Sequence, residues 1–403
     1  MTSNERVLIA GGGPVASVTA LALAQRGFAV TVFEADARVS DAPRAATTHA
    51  ATLELLADLG LVDEVIARGL TAHTFQFRDR ASGELIAEFD HRLLGTETRF
   101  PYAVQFEQHK LARLALERAQ GFPATEVHYS TRVTDVDAQG DRVAVTVETD
   151  SGPRKFQGAF LVGADGGRST VRKQLGIEFE GYTWPERFIV LTTQFDFEGE
   201  RGYCYRNYLS DPEEWANLFK IAGDDGKGQW RVVFPTRAEE TDEGALSEAG
   251  AQARLQRFFP KRTPYPIIHR NLYNVHQRVA ATFRKGRVFL AGDAAHVNNP
   301  IGGLGLNCGI HDAVELAERL ARFRDGAGED ELDLYDRRRR PVNIEFVQNQ
   351  TVQNKKRMEE KDPAVRAANF DQLRRTVADP VQHRQFLLHS SLIESVRKAA
   401  LIT

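Results

Sequence analysis

The stretch 287–307 holds the residues whose types and spacing best suit ligand chemistry. Residues 288–291 form an apolar run with the length of a buried strand, and this run ends at Gly292 and Asp293. The carboxylate is thus predicted at the carboxyl end of a strand, where open α/β sheets bind ligands. Pro300 and the glycines after it form a loop with little side-chain cover, so its amides are free to approach a flat or anionic ligand. This stretch suits an anionic, hydroxyl-rich cofactor.

A second ligand motif stands near the start of the chain, where a predicted strand over 6–10 runs into Gly11-x-Gly13-x-x-Ala16. In a dinucleotide fingerprint of this spacing, the first glycine allows a tight turn and the second lets backbone approach a pyrophosphate. The small third residue lets helix pack on strand. The next predicted strand ends in Glu34, at the spacing where an acid receives ribose hydroxyls.

A third motif, Gly163-Ala-Asp165-Gly166, repeats the pattern of an apolar strand followed by an acid-bearing turn. Asp165 and Arg168 also suit a simple helix-capping pair. Two acid-bearing turns after buried strands in one chain nevertheless favour a shared ligand.

The elements that must position these motifs divide the chain. Alternation of apolar and polar residues predicts a β-hairpin around 75–89 and an antiparallel strand set over 126–149. A strand-rich, aromatic region over 187–237 predicts a sheet separate from the parallel one. The tail, 343–403, has helical periodicity.

Composition limits the class of protein. With 403 residues, 42% hydrophobic and 27% charged, the chain is long enough for two globular domains. A net charge of -3 gives no reason to expect nucleic acid or an anionic membrane as partner. Cys204 and Cys308 are too few for a disulfide framework and fit a reducing compartment. With no signal-peptide pattern and no membrane-spanning apolar run, we expect a cytoplasmic protein.

The three motifs, in this order, resemble those of the single-component FAD-dependent aromatic hydroxylases, the p-hydroxybenzoate hydroxylase-like class A flavoprotein monooxygenases. The resemblance covers roughly residues 5 to 345. It implies an α/β fold: a Rossmann-like FAD-binding domain, an inserted mixed β-sheet substrate domain and a helical C-terminal region. The implied FAD-binding domain comprises 1–73, 101–181 and 276–345, the substrate domain 74–100 and 182–275, and the C-terminal region 346–403.

The resemblance also assigns cofactor contacts. Residues Gly11, Gly13, Pro14, Val15 and Ala16 would meet the pyrophosphate, Glu34 and Ala35 the adenosine ribose, and the backbone of Val133 the adenine. Arg44 and Gln108 match family residues that touch the cofactor. Asp165 belongs to a motif that the family uses for both FAD and NAD(P)H, and Asp293 would contact the ribityl chain. The isoalloxazine ring would lie against Pro300, Gly303, Gly305, Leu306 and Asn307.

The chain departs from the family pattern beside the ring. His311 replaces a frequent glutamine, Cys308 a common threonine or leucine, and Asn298 and Asn299 precede Pro300 where prolines or apolar residues are common. These departures put polarity near the ring, and with it substrate choice, in doubt.

The implied reaction uses NAD(P)H and O2 to hydroxylate a phenolic or hydroxylated N-heteroaromatic small molecule through a flavin C4a-hydroperoxide, as in the catabolism of aromatic compounds. We assign catalytic candidates to Pro300, His73, Tyr203 and Tyr205, with His269 and Tyr273 as further candidates for a base. The spacing of Asp293 and His296 is a weak indication of a metal pair, and no metal is expected. A homodimer is compatible with the resemblance.

Two other readings stay open. One is another enzyme of the same fold, an epoxidase, a halogenase or a reductase, although Trp184-Pro185 and Trp215 do not supply a W-x-W-x-I-P halogenase signature. The other is a non-catalytic FAD-binding protein, against which the intact ring-side glycines argue. The substrate, the ring position attacked and the choice of NADH or NADPH are left open.

Overall fold

The computed structural model describes residues 6–42, 44–138, 140–224, 226–237 and 239–403. The strands in these ranges are β1 Arg6–Ala10, β2 Ala29–Phe33, β3 Thr47–Thr48, β4 Leu70–Ala72, β5 Thr74–Asp79, β6 Leu85–Asp90, β7 Ala103–Gln105, β8 Thr125–His128, β9 Arg132–Asp137, β10 Val143–Thr149, β11 Gly152–Gly158, β12 Phe160–Gly163, β13 Phe179–Thr193, β14 Arg206–Ser210, β15 Ala216–Ile221, β16 Gln229–Pro235, β17 Ile267–Ala280, β18 Arg284–Lys285, β19 Val288–Leu290 and β20 His296–Val297.

The α-helices in the same ranges are α1 Pro14–Gln25, α2 Ala50–Asp58, α3 Val62–Arg68, α4 Gln108–Gln120, α5 Thr170–Gln174, α6 Asp242–Leu246, α7 Glu248–Phe258, α8 Leu304–Arg324, α9 Asp330–Asn343, α10 Asn349–Met358, α11 Pro363–Ala378, α12 Pro380–Ser390 and α13 Ile393–Leu401. Short 3-10 helices span His91–Leu94 and Gly292–Ala294, and a π-helical turn spans Ile344–Gln348. No helix among the described residues combines the length and apolar character needed to cross a membrane.

The first sheet carries the sequence motifs. Its strand order is β18-β19-β12-β1-β2-β8, with β19, β12, β1, β2 and β8 parallel and β18 antiparallel at the edge. The inner strands are short apolar runs buried on both faces, as expected where helices cover a parallel sheet. The alanine-rich helix α1 packs between α4 and α8, and its small side chains permit that close approach.

The strand set predicted over 126–149 is wrong in one member. Strands β9, β10 and β11 form an antiparallel three-stranded sheet, but β8 pairs in parallel with β2 at the edge of the first sheet. Helix α4 makes β8 the end of a crossover connection, which returns the chain parallel to β2. An edge strand is half-exposed, so β8 shows the same polar alternation as an antiparallel strand.

A large mixed sheet follows the order β20-β17-β13-β16-β15-β14-β5-β6 and includes the predicted hairpin β5–β6. Its pairs are antiparallel except for β14 with β5. One face packs on α7 through an aromatic cluster that includes Trp230 and Phe258. The other face, with Phe188 and Tyr208, packs towards the C-terminal helices. Residues 181 and 275, the ends of the predicted domain segments, both fall within long strands, β13 and β17.

The tail is helical, as predicted, and α11 packs on β6. Pro341 lies within α9 and has no amide hydrogen to donate, and the π-helical turn begins three residues later. The observed α/β architecture, with a Rossmann-like parallel sheet, a mixed sheet and a helical C-terminal region, confirms the predicted fold class.

Candidate active site

The carboxyl ends of four neighbouring parallel strands gather the motif residues at one edge of the first sheet. Gly11 follows β1, Glu34 follows β2, Asp165 lies just beyond β12, and Asp293 just beyond β19. We call this edge, together with the loop 300–307, the cofactor groove. The structure therefore brings together motifs that lie up to about 280 residues apart in the chain.

The fingerprint turn is packed on one side and open on the other. Gly11 has φ +106°, and a Cβ atom there would lie 2.4 Å from the carbonyl oxygen of Ala164. Gly13 is the N-cap of α1 without a side-chain cap, and a Cβ atom there would meet no protein atom within 4 Å. The uncapped amides of α1 thus face open space, which suits a phosphate group.

Glu34 is half-buried beside this turn. Its carboxylate accepts hydrogen bonds from the amides of Gly12, at 2.5 Å, and Asp36, at 2.8 Å. A carboxylate fixed in this way keeps acceptor capacity for hydroxyl groups of a ligand.

Asp165 has a structural role of its own. Its carboxylate accepts from the amides of Thr170, at 2.7 Å, and Val171, at 3.1 Å, and from the hydroxyl of Ser169, at 2.5 Å. The capping function considered for Asp165 is therefore observed, although Ser169 rather than Arg168 is its partner. Arg168 is exposed.

The turn after β19 packs closely against α1 and α8. A Cβ atom on Gly292 would lie 2.8 Å from a methyl group of Val15, and one on Gly309 in α8 would lie 2.6 Å from the same side chain. Asp293 itself opens onto the groove. Protein atoms crowd its other sides, and this desolvation raises the pKa of its carboxyl despite the opposing charges of His296 and Arg44.

The loop before α8 is held by the side chain of Asn307. Its amide group donates to the carbonyls of Thr47, at 2.8 Å, and Gly303, at 2.7 Å, and its oxygen accepts from the amide of His49 at 2.8 Å. Helix α8 begins after Gly303, at φ +70°, without a side-chain cap. Because the side chain is occupied, the backbone amides at the start of α8 are the groups left to meet a ligand.

The segment 44–46 closes the groove from the side. Phe106 donates its amide to Ala46 at 2.7 Å and Gln108 to Ala45 at 3.0 Å, which places Arg44 beside the start of α4. Arg231, from the mixed sheet, donates to the carbonyl of Arg44 at 2.6 Å. Val133 is buried in β9, paired with Val147.

A buried charged cluster lies behind the groove. Asp312 accepts from the imidazole of His296 at 2.6 Å, the guanidinium of Arg339 at 2.8 Å and the amide of Gly292 at 3.1 Å. Burial alone would raise the pKa of the Asp312 carboxyl, but the charges of His296 and Arg339 outweigh it and hold that pKa low.

Three groups of this cluster approach the spacing of metal ligands: side-chain atoms of His296, Cys308 and Asp312 lie within 4.8 Å of one another. The guanidinium of Arg339 donates to the Cys308 thiol at 3.1 Å as well as to Asp312. It supplies the positive charge there, so the cluster works as an internal ion pair that fixes the Gly292 turn.

A second recess, the aromatic cavity, adjoins the loop before α8. Its walls come from β5, β14, α10, α12, the 3-10 helix that begins at His91, the residue before α2, and the loop with the start of α8. Its lining consists of His49, Phe75, Phe77, His91, Arg206, Tyr208, Ile301, Gly302, Leu304, Gln350, Asn354, Phe386 and Ser390. The rings of Phe77 and Tyr208 stack at 5.3 Å between centroids. Flat apolar walls next to the groove suit an aromatic ring.

The catalytic candidates are spread over the molecule. Pro300 lies in the loop between groove and cavity, whereas His73 is exposed and offers its backbone carbonyl to His91. Tyr203 packs with Phe197 and Phe258 in the cluster under α7, on the side of the mixed sheet away from the cavity.

The other candidates lie on or near the mixed sheet, outside the cavity lining. Tyr205 contacts Glu198 through its hydroxyl at 3.4 Å. Burial raises the pKa of Tyr273, and burial together with Arg231 lowers the pKa of His269. The structure therefore brings Pro300 to the site but not the two candidate tyrosines 203 and 205.

Sequence reasoning missed the polar residues of the cavity: His49, His91 and Arg206. Arg206 alternates with Tyr208 on β14, a spacing that puts both on one face of a strand, but nothing in the sequence says which face is lined by ligand. His49 is the N-cap residue of α2 and His91 is the first residue of a 3-10 helix, and neither belongs to a recognisable motif.

The departures from the family pattern have structural partners. The amide and side chain of Asn299 both donate to the Gln277 side chain, at 3.1 and 3.2 Å, and Gln277 donates in turn to Gln348 at 2.6 Å. His311 contacts the Thr52 hydroxyl at 2.9 Å, and burial followed by the charge of Arg339 lowers its pKa to about 3. These side chains brace the loop rather than expose polarity to the cavity.

The groove fits a flavin dinucleotide on its own chemistry. Uncapped amides at the starts of α1 and α8 suit a pyrophosphate and an anionic ring, and Glu34 and Asp293 offer acceptors to hydroxyl groups. Both helices are long enough, 12 and 21 residues, for a developed N-terminal dipole.

Comparison with known proteins agrees with this geometry. The chain is 37% identical over 398 residues to para-nitrophenol 4-monooxygenase of Pseudomonas sp. (strain WBC-3), covering 96% of both chains. It is 36% identical over 369 residues to 6-hydroxy-3-succinoylpyridine 3-monooxygenase HspB of Pseudomonas putida, covering 90% of this chain and 91% of that one. The crystal structure of p-nitrophenol 4-monooxygenase PnpA from Pseudomonas putida superposes with a TM-score of 0.91 at 34% identity over 99% of each chain.

The profile of one protein family, described as FAD binding domain, matches residues 4–350. This range contains the fingerprint, both acid-bearing turns and the loop before α8. The resemblance predicted from those motifs is confirmed, and the chain belongs to the FAD binding domain family.

Proposed function

We propose that this chain is an FAD-dependent aromatic monooxygenase that uses NAD(P)H and O2 to hydroxylate a phenolic or hydroxylated N-heteroaromatic small molecule. The observation that carries the proposal is the shared wall between groove and cavity. Gly302, Leu304 and His49 line the aromatic cavity, while the same loop forms the end of the cofactor groove. An aromatic ring in the cavity would therefore lie next to a ring bound by the loop. The relatives named above are monooxygenases of a nitrophenol and a hydroxypyridine, which agrees with such a substrate.

The residues proposed to hold FAD are those of the sequence motifs: Gly11, Gly13, Pro14, Val15 and Ala16 at the pyrophosphate, Glu34 and Ala35 at the adenosine ribose, Val133 at the adenine, Asp293 at the ribityl chain, Arg44, Gln108 and Asp165 beside the cofactor, and Pro300, Gly303, Gly305, Leu306 and Asn307 at the isoalloxazine ring. When bound, FAD supplies the transfer of reducing equivalents from NAD(P)H and the activation of O2.

The chain's own residues would orient the rings, stabilise negative charge and exclude water. The backbone amides at the uncapped start of α8, including that of Leu306, would stabilise negative charge on a ring that lies against them. The aromatic side chains of the cavity would orient the plane of the substrate ring. They would also exclude water from the site, which limits side reactions with solvent. Pro300 is proposed to shape the loop rather than to exchange protons, because it carries no ionisable group.

We further propose a domain division, a location and an assembly for this chain. The proposed division has FAD-binding segments 1–73, 101–181 and 276–345, a substrate domain of 74–100 and 182–275 and a C-terminal region of 346–403. The first sheet lies within the FAD-binding segments, and most of the mixed sheet lies within the substrate segments. A cytoplasmic location agrees with two cysteines that form no disulfide. A homodimer is the proposed assembly, to be tested by sedimentation.

The visible spectrum of the purified protein is the first test, followed by NADH and NADPH oxidation with a panel of phenols and hydroxypyridines. A flavin spectrum and oxidation accelerated by one ring class, with a product that has gained one oxygen atom, is the expected result. Equal, slow oxidation with every compound would instead favour an epoxidase or a reductase of the same fold. A bound flavin that no NAD(P)H reduces would indicate a non-catalytic FAD-binding protein.

A further inference from the structure

We infer that Arg206 is the specificity-determining residue of the aromatic cavity: its guanidinium pairs with an oxyanion of the substrate, so that a phenol binds there as phenolate. The inference rests on the proposed function, because it takes the cavity to be the substrate site. It adds the group that the cavity recognises and the residue that recognises it.

Arg206 is a buried cation without a counter-ion in the protein. Its side chain is 2% exposed, and its Nε and one terminal nitrogen have no hydrogen-bond partner. Across the part of the chain that the structure describes, no carboxylate forms an ion pair with it. Removing a guanidinium from water without a partner is costly, and an anionic ligand would offset that cost.

The remaining contacts of Arg206 fix its plane and leave the free nitrogens available. Its other terminal nitrogen donates to the hydroxyl of Tyr208 at 3.2 Å, and the guanidinium lies 5.1 Å from the centroid of the Phe75 ring. Both neighbours also line the cavity. A planar fork held in this way suits an oxygen anion better than a flexible ammonium group would.

The two histidines of the cavity are held neutral, so they do not compete as cations. The Nε2 atom of His49 meets the carbonyl of Gly302 at 2.9 Å, and the Nδ1 atom of His91 meets the carbonyl of His73 at 3.0 Å. A carbonyl only accepts, so these nitrogens carry the hydrogens and the other nitrogen of each ring is an acceptor. Burial, and then the charge of Arg206, lower the pKa of His91 to about 3 and that of His49 well below its ordinary value.

The other titratable side chains that face Arg206 carry no cationic group that would compete with it for an anion. They are the hydroxyl of Tyr208 and the thiol of Cys204, whose pKa is raised by burial. No protein group is required to hold the phenol proton, which passes to the buffer when the ligand binds as its anion.

The rest of the lining indicates that the site takes one negative charge and not two. Arg206 is the one permanently charged residue among the described residues of the lining. On another wall, Gln350 donates to Asn354 at 3.2 Å, and Asn354 donates to the carbonyl of Ile301 at 3.2 Å. These amides are neutral partners for a second polar substituent. A phenolate with an uncharged substituent should therefore bind more tightly than a hydroxybenzoate with a second anion.

The test uses the oxidised, FAD-loaded protein without NAD(P)H, with 4-nitrophenol as probe, because its phenol and phenolate forms differ in visible absorption. In the wild type the bound probe should remain phenolate at least one pH unit below the value at which it protonates in solution. Arg206→Met should remove this shift and weaken binding about ten- to a hundred-fold, the range for a charge-assisted hydrogen bond. Arg206→Lys should restore part of the shift.

Three controls separate this effect from loss of structure. The ether 4-nitroanisole carries no negative charge with which the guanidinium could pair. Its affinities for the wild type and for Arg206→Met should therefore agree within about threefold. Arg357 is a matched arginine: one of its nitrogens is also buried without a partner, and it lies against Phe77, but it does not line the cavity. Arg357→Met should leave the probe's protonation unchanged. All variants should keep their flavin absorbance.

The outcomes distinguish the two proposals. If Arg206→Met binds phenolate as the wild type does, the role of Arg206 is wrong while the proposed function stands. If the flavin-loaded wild type binds no phenol or hydroxypyridine at all, the proposed function fails and the inference fails with it.

Discussion

The cofactor groove and the aromatic cavity share a loop but differ in how their polar groups are treated. In the groove, the charged groups behind the loop are paired within the protein, as in the cluster of Asp312, His296 and Arg339. What faces outward there is mostly backbone at uncapped helix starts. In the cavity, a buried guanidinium and a buried imidazole keep nitrogen atoms without protein partners.

The difference shows that the groove is built from backbone groups and the cavity from side chains. Backbone amides at a fixed spacing form a groove that can hold the same cofactor in many chains, since they require only glycine and a helix start. The cavity depends on side chains from strands, helices and loops that are far apart in the chain, and its unpartnered atoms cost stability unless a ligand meets them. Substitution of the paired charges behind the groove should therefore lower the stability of the protein, whereas substitution of the unpaired groups in the cavity should weaken ligand binding.

The largest effect is expected for Asp312→Ala in the cluster behind the groove. Removing the carboxylate leaves His296 and Arg339 buried without their partner, which should lower the free energy of unfolding by about 3–5 kcal/mol. Urea denaturation measures it. Arg206→Met is the counterpart in the cavity and should leave that free energy unchanged or raise it, because it removes a buried charge that has no ion pair. Equal losses in the two variants would contradict the contrast between the regions.

A smaller effect distinguishes the two glycines of the fingerprint. Gly11→Ala places a Cβ atom on a residue with φ +106°, 2.4 Å from the Ala164 carbonyl oxygen. The substitution should therefore destabilise the protein by at least about 2 kcal/mol and also lower its affinity for FAD. Gly13→Ala meets no protein atom within 4 Å, so the FAD-free protein should keep its thermal midpoint while FAD affinity falls. Calorimetry of the apoprotein and flavin titration measure the two quantities. If the apoprotein of Gly13→Ala is as unstable as that of Gly11→Ala, the groove is not open at that glycine.

The smallest effect concerns the neutral histidines of the cavity. Burial and Arg206 lower the pKa of His91 to about 3, whereas an unfolded imidazole titrates near its ordinary value. Between these two pH values the unfolded chain binds more protons, so the contribution of His91 to stability is complete above about pH 6.5 and is lost as the pH falls towards 3.

His91→Asn keeps a donor for the His73 carbonyl but removes this titration. Its unfolding free energy should fall less steeply than that of the wild type, by about 1.4 kcal/mol per pH unit below the ordinary histidine pKa. Denaturation of both proteins at pH 7.5 and pH 5.5 gives the measurement. Above pH 7 the free energies of unfolding of the two proteins should depend on pH in the same way. Identical slopes would mean that His91 is protonated in the folded protein.

The groove was predictable because its signals are local. Gly11, Gly13 and Glu34 are fixed by a strand, a turn and a second strand within about 30 residues, and each residue type has a backbone reason to be there. The hairpin β5–β6 and the helical tail were predictable from periodicity for the same reason. Strand β8 was misplaced because half-exposed edge strands of parallel and antiparallel sheets share one alternation.

The cavity was not predictable in this way. Tyr203 and Tyr205 were chosen for their closeness to a predicted strand, but the strand that follows them presents Arg206 and Tyr208 to the cavity. A single sequence gives the alternation of a strand but not which face a distant helix such as α12 will cover. Asn299 shows the same limit, since its partner Gln277 is identified only once β17 is paired with its neighbours.

The sequence by itself determined the cofactor class, the α/β architecture and the order of the motifs, because glycine spacing and apolar periodicity act over a few residues of chain. Only the tertiary structure decided that a guanidinium of β14, a histidine before α2 and a phenylalanine of α12 share one cavity. These residues are brought together by strand pairing and helix packing between segments more than 150 residues apart, and such contacts leave no mark in local composition.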